Sequence, residues 1–206
     1  MKGLKKLDYS FYRRPDVLEI ARELLGKILV THFDSLFTSG RIVETEAYAG
    51  VVDRASHAYG GRRTKRTEIM YAKGGTAYIY LCYGIHHLFN VVTNQENIPH
   101  AILIRSLEPL EGIETMLRRT GKKRADGTLT KGPGNLSKAM GLHTGLSGAP
   151  LTGNEIYLAS DGFPVTNRDI LATKRIGVEY AAEDAGLPYR FALKGNKYLS
   201  GGKNTA

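Results

Sequence analysis

Apolar residues recur at the three- and four-residue spacing of a core-facing helix most clearly in segment 14–26. Pro15 and Asp16 are typical of a helix start, and Gly26 is typical of a helix end. The segment therefore predicts one amphipathic helix near the beginning of the chain. Weaker helical patterns follow in three places, at 67–75, at 110–121 and in the second half of 129–142.

Short apolar runs and two-residue alternation predict strands through much of the remaining chain. Residues 27–33 have the pattern of a buried strand, and a turn at 39–40 leads into an alternating strand at 40–50. Residues 76–94 predict two strands that meet in a hairpin near 83–84. Because helices and strands are mixed without a regular βαβ rhythm, the pattern predicts an α+β fold with a largely antiparallel sheet. Four more strands are predicted, at 100–109, 154–160, 172–178 and 189–195.

The length of the chain is that of one domain. At 206 residues it has room for a single hydrophobic core, and no internal repeat or linker interrupts it. We interpret residues 1–206 as one domain and expect its last segment, "SGGKNTA" at 200–206, to be disordered.

The excess of basic residues narrows the set of partners. Lys and Arg number 29 and Asp and Glu number 20, a formal net charge of +9. Such an excess favours a polyanionic partner, because each neutralised phosphate releases counterions. Cys82 is the one cysteine, which excludes an intramolecular disulfide and suits a reducing compartment. The sequence has no long apolar run and no signal-peptide pattern, so we expect a cytoplasmic protein with no membrane partner.

The stretch "GRIVETEAYAG" at 40–50 places two acids and a phenol in a strand of this basic protein. In a regular strand Glu44, Glu46 and Tyr48 share one face. The set is compatible with a solvated strand face, and equally with a carboxylate beside an aromatic platform in a nucleic-acid pocket. The alternation alone leaves both interpretations open.

The tyrosines of 76–83 fall on two different faces. Tyr78 and Tyr80 share one face, whereas Tyr83 shares the other with the apolar positions. Half-buried packing explains tyrosines within a strand. An aromatic ring at a hairpin tip more often has a partner, because exposing it to water is unfavourable.

The sequence lacks the motifs of several enzyme and nucleotide-binding classes. There is no G-x-S-x-G of a serine hydrolase, no H-x-E with C-x-x-C of a zinc deaminase, and no complete nucleotide P-loop. No histidine has a second ligand at metal-binding spacing, so we expect no metal site. The run "TKGPGNLSKAMGL" places Lys131 and backbone amides at a helix start, where a phosphate can bind.

Five motifs in register, taken together, resemble the alkyladenine (3-methyladenine) DNA glycosylases, and the final segment 175–200 fits as well. The resemblance covers residues 8–200. The motifs are "GRIVETEAYAG", "SHAYGG", "GTAYIYLCYGIHHLFNVVT", "ILIRSLEPLEG" and "LTKGPGNLSKAMGL".

The resemblance implies a fold and an activity. The fold would be one mixed domain with a curved antiparallel sheet and a protruding β-hairpin. The activity would be DNA repair: extrusion of a damaged purine from double-stranded DNA, hydrolysis of its N-glycosidic bond by an activated water, and release of an abasic site. The substrates would be 3-methyladenine, 7-methylguanine, hypoxanthine and ethenoadenine, which the sequence does not rank. The enzyme would be monofunctional, without metal or cofactor, monomeric and bacterial.

The same resemblance assigns roles to the residues that match it. Glu46 would be the general base, and Arg105 would hold Glu46 and the nearby phosphate. Tyr83 would enter the minor groove and fill the space that the flipped nucleotide leaves. The base would be bound by Tyr48, His57, Tyr80 and Asn90, of which Asn90 would exclude normal guanine. Arg62 and Lys131 would contact the DNA backbone.

Three questions stay open at this point. Glu44 lies roughly 7 Å from Glu46 on the same strand face and is an alternative base. The protein is alternatively a non-catalytic basic module that binds nucleic acid, or a hydrolase of free nucleosides. His86 and His87 follow the hairpin where some relatives carry bulky apolar residues, which leaves the packing of the hairpin undetermined.

Overall fold

A computed structural model describes residues 3–201 of the chain. Within them, nine strands form one curled sheet in which every pairing is antiparallel. The strands are β1 (Lys5–Lys6), β2 (Ile28–Phe33), β3 (Leu36–Tyr48), β4 (Thr76–Cys82), β5 (His86–Thr93), β6 (His100–Glu111), β7 (Ile156–Ser160), β8 (Ile170–Thr173) and β9 (Arg190–Leu193). Their order is β1-β7-β2-β3-β6-β5-β4, with β9 pairing β3 and β8. The α+β class, the antiparallel sheet and the β4–β5 hairpin are confirmed.

Four α-helices occur among the described residues, and the first two have aspartate caps. The Asp8 side chain accepts hydrogen bonds from the amides of Ser10 and Phe11, and Asp16 does the same for the next helix. These bonds satisfy backbone donors that a helix start otherwise leaves unpaired. The helices are α1 (Tyr9–Tyr12), α2 (Val17–Glu23), α3 (Ile113–Thr120) and α4 (Pro133–Met140).

The two faces of the hairpin region have different neighbours. Ala77 and Ile79 of β4 belong to the main core, which also includes the buried apolar residues of α2 to α4. Tyr78 and Tyr80 belong to a separate cluster on the opposite face, with Met70 and Ala101. The alternation predicted from the sequence therefore separates core from pocket along β4.

The central strand β3 begins earlier than the sequence pattern predicts. The turn lies at Asp34 and Ser35, both with positive φ, and not at Ser39-Gly40. Gly40 lies inside the strand, where a Cβ would come within 3.0 Å of the Leu107 side chain. The glycine thus reflects the close approach of β6 rather than a turn.

Irregular pairing of β3 with β6 bends the sheet beside the two acids of β3. Ile42 pairs with Leu107, Glu44 with Ser106 and Thr45 with Ile104, so Val43 and Arg105 are left without cross-strand partners. Such bulges bend strands and redirect side chains. On the other edge of β3, the partner changes from β2 to β9 over Glu44–Glu46.

Three further sequence predictions differ from the structure. A short helix is present within 67–75, but it is a 3-10 helix that spans Glu68–Tyr71 and ends before Gly74-Gly75. The strand predicted at 172–178 ends at Thr173, because the next residues turn away to contact Glu46 and Asp53. Ser200, expected in a disordered tail, is buried and bonded to Glu44. Residues 202–206 of that tail lie outside the described residues.

No helix among residues 3–201 has both the length and the apolar character needed to cross a lipid bilayer.

Two glycines that flank α3 test how tightly this framework is packed. Gly112 and Gly121 have nearly the same φ, 74° and 73°. A Cβ on Gly112 would overlap the carbonyl oxygen of Phe37, whereas a Cβ on Gly121 would meet nothing within 4 Å. We expect Gly121→Ala to lower the free energy of unfolding by about 1–2 kcal/mol through left-handed strain. Gly112→Ala should lose about 1–3 kcal/mol more through overpacking. Urea denaturation measures both, and equal losses would contradict the packing described for Gly112.

Candidate active site

A groove runs between the hairpin, the loop after β3 and the segment that follows β8. A smaller pocket adjoins it, and the two share the walls formed by Tyr48, His57, Tyr80 and Tyr180. The remaining pocket walls are Ala55, Met70, Tyr78, Asn90 and Ala101. The structure therefore brings together all four residues predicted to bind a base.

Glu46 lies immediately beneath the groove. Its side chain is fully buried, and its oxygens accept hydrogen bonds from the Ile176 amide at 2.8 Å and the Tyr48 hydroxyl at 2.9 Å. Arg105 forms an ion pair with it, Nη1 to Oε2, at 3.1 Å. All three of these partners line the groove. A water molecule that reaches Glu46 from the groove must therefore pass between them.

Glu44 has a different environment, and its interpretation as a solvated strand residue is wrong. It is fully buried, and its two oxygens accept five hydrogen bonds from Arg105, Ser106, Arg190 and Ser200. A carboxylate offers about four lone-pair sites, so none is left over for a water molecule. Of the two carboxylates, only Glu46 has hydrogen-bond partners that all line the groove or pocket.

The aromatic walls of the pocket are in mutual contact. The ring centroids of Tyr78 and Tyr80 are 5.5 Å apart, and His57 meets Tyr80 edge-on at 4.7 Å. Asn90 donates its side-chain amide hydrogens to the backbone carbonyls of Tyr78 and Leu88. These bonds fix the amide, which is buried in the pocket wall. Tyr78, for which the sequence predicts only packing within a strand, is also a wall of the pocket.

The hydrogen bonds of His57 define its tautomer. Its Nε2 lies 3.2 Å from Nη2 of Arg66, and its Nδ1 lies 3.0 Å from the hydroxyl of Tyr78. Arg66 can only donate, so Nε2 accepts and Nδ1 carries the hydrogen. Burial, together with the positive charges of Arg66 and Arg62, lowers the pKa of His57 to about 4. The imidazole is therefore neutral near pH 7.

A buried ion pair supports the Tyr48 ring from behind. Arg175 bonds both oxygens of Asp53, at 2.5 and 2.8 Å, and its guanidinium lies 4.8 Å from the centre of the Tyr48 ring. Asp53 also accepts from the backbone amides of Ala49 and Ala55, which closes the turn after β3. Burial and the nearby Glu46 carboxylate hold the pKa of Tyr48 well above its usual value. The phenol thus stays protonated and donates to Glu46.

Tyr83 projects from the tip of the hairpin. Its side chain is 90% exposed, its φ is 50°, and it lines the groove. The following Ile85 is also largely exposed, at 72%. Such exposure of two large apolar groups is unusual for a turn unless a partner covers them.

Close to its tip, the hairpin packs against the start of α4. A Cβ on Gly134 would lie only 2.8 Å from Nδ1 of His86, and the rings of His87 and His143 are 6.5 Å apart. The two histidines after the hairpin tip therefore lie between the hairpin and neighbouring segments. This contact fixes the direction in which Tyr83 projects.

The basic residues predicted to bind DNA are placed differently from one another. Arg62 is exposed and lines the groove, as does Arg66. Lys131 precedes α4, whose first residue Pro133 lines the groove, but its own side chain is not among the groove walls. The structure therefore brings Arg62, and not Lys131, directly to the groove.

Sequence reasoning missed several residues of the site: Asp53, Ser106, Arg175, Tyr180, Arg190 and Ser200. Most of them lie in the last segment, 175–200. This segment fits the family resemblance, but the resemblance assigns no role to its residues. The signal available was a set of charged and aromatic residues inside that segment, but their partners are far away in the sequence. Among the described residues, no group of three or more His, Cys, Asp or Glu side chains is arranged to hold a metal ion.

Comparison with known proteins places the chain among its relatives. The family model described as "Methylpurine-DNA glycosylase" matches residues 10–197. A protein of Desulfitobacterium hafniense is 43% identical over 96% of this chain and 99% of its own length. A protein of Chlamydia abortus is 46% identical over 91% of this chain and 97% of its own length. A protein of Bacillus licheniformis is 48% identical over 94% of this chain and 96% of its own length. All three carry the name "Putative 3-methyladenine DNA glycosylase".

The lowered pKa of His57 can be measured directly. We expect its imidazole signals in NMR to titrate with a midpoint near pH 4 and to show the Nδ1–H tautomer above it. Because the folded state binds this proton less readily than the unfolded chain, His57 contributes a loss of stability as pH falls from about 6.5 to about 4. Arg66→Gln should raise the midpoint, though not to the ordinary value, because burial is the larger cause. A wild-type midpoint near 6.5 would contradict the buried position.

Proposed function

The chain belongs to the methylpurine-DNA glycosylase family, and from this premise we propose that it removes damaged purines from double-stranded DNA by hydrolysing the N-glycosidic bond. The proposed substrates are 3-methyladenine, 7-methylguanine, hypoxanthine and ethenoadenine. The observation that carries the proposal is the position of Glu46, a buried carboxylate separated from an aromatic pocket and a basic groove only by Tyr48, Arg105 and Ile176.

The first step of the proposed reaction is extrusion of the damaged nucleotide. A base inside a duplex is out of reach, and flipping it costs a few kcal/mol. Tyr83 would enter the stack from the hairpin tip and fill the vacated space. The flipped base would enter the pocket and contact Tyr48, Tyr80 and His57, where stacking recovers about 1–3 kcal/mol. Asn90, held by its two backbone bonds, would crowd the position of a guanine 2-amino group.

The second step is hydrolysis. The bond between C1′ of the sugar and the base breaks, and its electron pair leaves with the base. Positive charge then develops on the sugar, and a nearby carboxylate stabilises it. Glu46 accepts a proton from the attacking water, whose oxygen bonds to C1′ and leaves an abasic site. Arg105 orients Glu46 through the ion pair and lies at the groove, where it also meets a backbone phosphate.

The residues of the groove favour water over an enzyme amine as the nucleophile. None of the described residues that line the pocket or the groove is a lysine. This supports a monofunctional glycosylase, which stops at the abasic site.

The charge of the groove fits a DNA duplex as partner. Arg54, Arg62, Arg66 and Arg105 line it, and Lys131 lies next to the helix start that reaches it. The binding constant should therefore fall steeply with salt concentration, unlike that of an enzyme for free nucleosides. We propose that the protein acts as a monomer on the DNA of a bacterial cytoplasm, in keeping with the bacterial sources of its relatives.

Replacement of Glu46 by glutamine tests the proposal. With a duplex that carries one hypoxanthine, wild type should produce abasic sites that alkali cleaves, and Glu46→Gln should lose at least about 100-fold in single-turnover rate because the water loses its base. Binding to the same duplex should be retained. Glu23→Gln, which changes a carboxylate paired with Arg14 on the surface, is the matched control and should retain the wild-type rate. Tight binding by wild type with no excision of hypoxanthine or alkylated bases would instead support a non-catalytic binding module.

Replacement of Tyr83 tests the extrusion step separately. Tyr83→Ala should lower the fraction of flipped base, reported by 2-aminopurine beside the lesion, and reduce excision about tenfold or more because the vacated space is left unfilled. Tyr83→Phe keeps the ring and should behave like wild type. If the alanine variant flips and excises normally, Tyr83 has no role in extrusion.

A further inference from the structure

We propose that Glu44 is a positioning residue that holds Arg105, and through it Glu46, in the geometry needed for hydrolysis, and that Ser200 near the end of the chain completes this arrangement. The inference rests on the proposed function of Glu46 and adds two residues that the motifs do not assign. Its basis is a buried hydrogen-bond network of which the reaction described above uses only Arg105.

The contacts of Glu44 saturate both of its oxygens. Oε1 accepts from Nε of Arg105 at 3.2 Å, from Nε of Arg190 at 2.6 Å and from the Ser200 hydroxyl at 2.8 Å. Oε2 accepts from the Ser106 hydroxyl at 2.9 Å and from the Ser200 amide at 2.6 Å. Glu44 and Ser106 are fully buried, and Arg105, Arg190 and Ser200 nearly so. Neither oxygen of the Glu44 carboxylate therefore has a lone pair left for another partner.

Arg105 divides its donors between the two carboxylates. Its Nε side faces Glu44 and the Ser200 hydroxyl, which is 3.1 Å away, while Nη1 faces Glu46. Because the guanidinium is a rigid plane, fixing Nε fixes the direction of the other nitrogens. The bulge in β6 at Arg105 places the side chain between the two acids. Glu44 thus determines where Nη1 meets Glu46.

The negative charge of Glu44 also balances the positive charges around Glu46. Glu44 and Glu46 carry two negative charges, and Arg105 and Arg190 carry two positive charges. The other charged pair nearby, Arg175 with Asp53, is balanced by itself. Neutralising Glu44 would leave a surplus positive charge beside Glu46. The Glu46 carboxylate would then be a poorer acceptor of the proton from water. The charged and titratable groups that face Glu46 are Tyr48 from β3, Arg105 from β6, Arg190 from β9, and Arg175 and Tyr180 from the segment after β8.

Ser200 links the end of the chain to the same network. It contributes both its amide and its hydroxyl to Glu44, and its carbonyl accepts from Nη2 of Arg190 at 2.6 Å. The last described residues therefore close over Glu44 on the side of β9. The hydrogen-bond network around Glu44 is therefore complete only when Ser200 is in contact with β3.

The test is the pH profile of single-turnover excision from a hypoxanthine duplex by wild type, Glu44→Gln and Glu44→Asp. We expect Glu44→Gln to lose about 100-fold at neutral pH, the effect of a small misplacement at the reacting centre. The acid midpoint of its profile should move to lower pH, because a negative charge is lost. Glu44→Asp keeps the charge and should keep the wild-type midpoint even where its rate falls. Wild-type rates in Glu44→Gln, or a uniform loss with an unchanged midpoint, would overturn the inference and leave Glu44 a purely structural residue.

A second variant covers the case in which Glu44→Gln fails to fold. Ser200→Ala removes the hydroxyl contacts to Glu44 and Arg105 and keeps the amide bond. We expect about a tenfold loss of rate with duplex binding retained, the size of one hydrogen bond to a charged group. The matched control is Ser137→Ala, a buried serine whose hydroxyl has no hydrogen-bond partner among residues 3–201. Equal rates for the two serine variants would count against the inference.

The outcomes also separate this inference from the proposed function. No excision by wild type refutes the hydrolytic activity itself, and the inference with it. Excision by wild type that Glu46→Gln abolishes and Glu44→Gln leaves unchanged refutes only the positioning role.

Discussion

The arrangement of the molecule around its groove depends on one shared cation, Arg105, between two buried carboxylates. Removing Glu44 and Glu46 from water is unfavourable by several kcal/mol each unless opposite charges and hydrogen bonds compensate. Arg105 contacts both acids and Arg190 contacts Glu44. The remaining donors are the backbone amides of Ile176 and Ser200 and the hydroxyls of Tyr48, Ser106 and Ser200. Several separate parts of the chain must therefore converge on three consecutive residues of β3.

That convergence explains irregularities that a regular sheet would not need. The bulges at Val43 and Arg105 bend β3 and β6 where the acids lie, and β9 replaces β2 as the partner of β3 over the same residues. The segment after β8 leaves the sheet early, so that the Ile176 amide reaches Glu46 and Arg175 reaches Asp53. Each departure from regular pairing provides a donor to a buried acid, as expected where polar groups are buried.

The pocket walls are preorganised by the same kind of contact. Tyr48 is held by Glu46 in front and by the Arg175–Asp53 pair behind, and Asn90 is held by two backbone carbonyls. His57 is kept neutral by burial and by the cations beside it. In the proposed function, such rigid walls would lose little conformational entropy on binding a flat base, and more of the stacking energy would remain to offset the cost of flipping. The exposed Tyr83 contrasts with these buried rings, as its proposed task outside the pocket requires.

Local pattern by itself determined the elements whose signals lie within a few residues of one another. The capped helix α2, the β4–β5 hairpin and the separation of Tyr78 and Tyr80 from Ile79 follow from spacing alone, and the motifs taken together identified the family. Tertiary structure alone decided that Glu44 is saturated by five hydrogen bonds, that Gly40 lies inside a strand, and that Ser200 is buried beside Glu44. These outcomes depend on partners 61 to 156 residues apart in the chain, such as Arg105 and Ser200 for Glu44. Alternation along one strand cannot distinguish a carboxylate saturated by such partners from one left within reach of water, because both point to the same face.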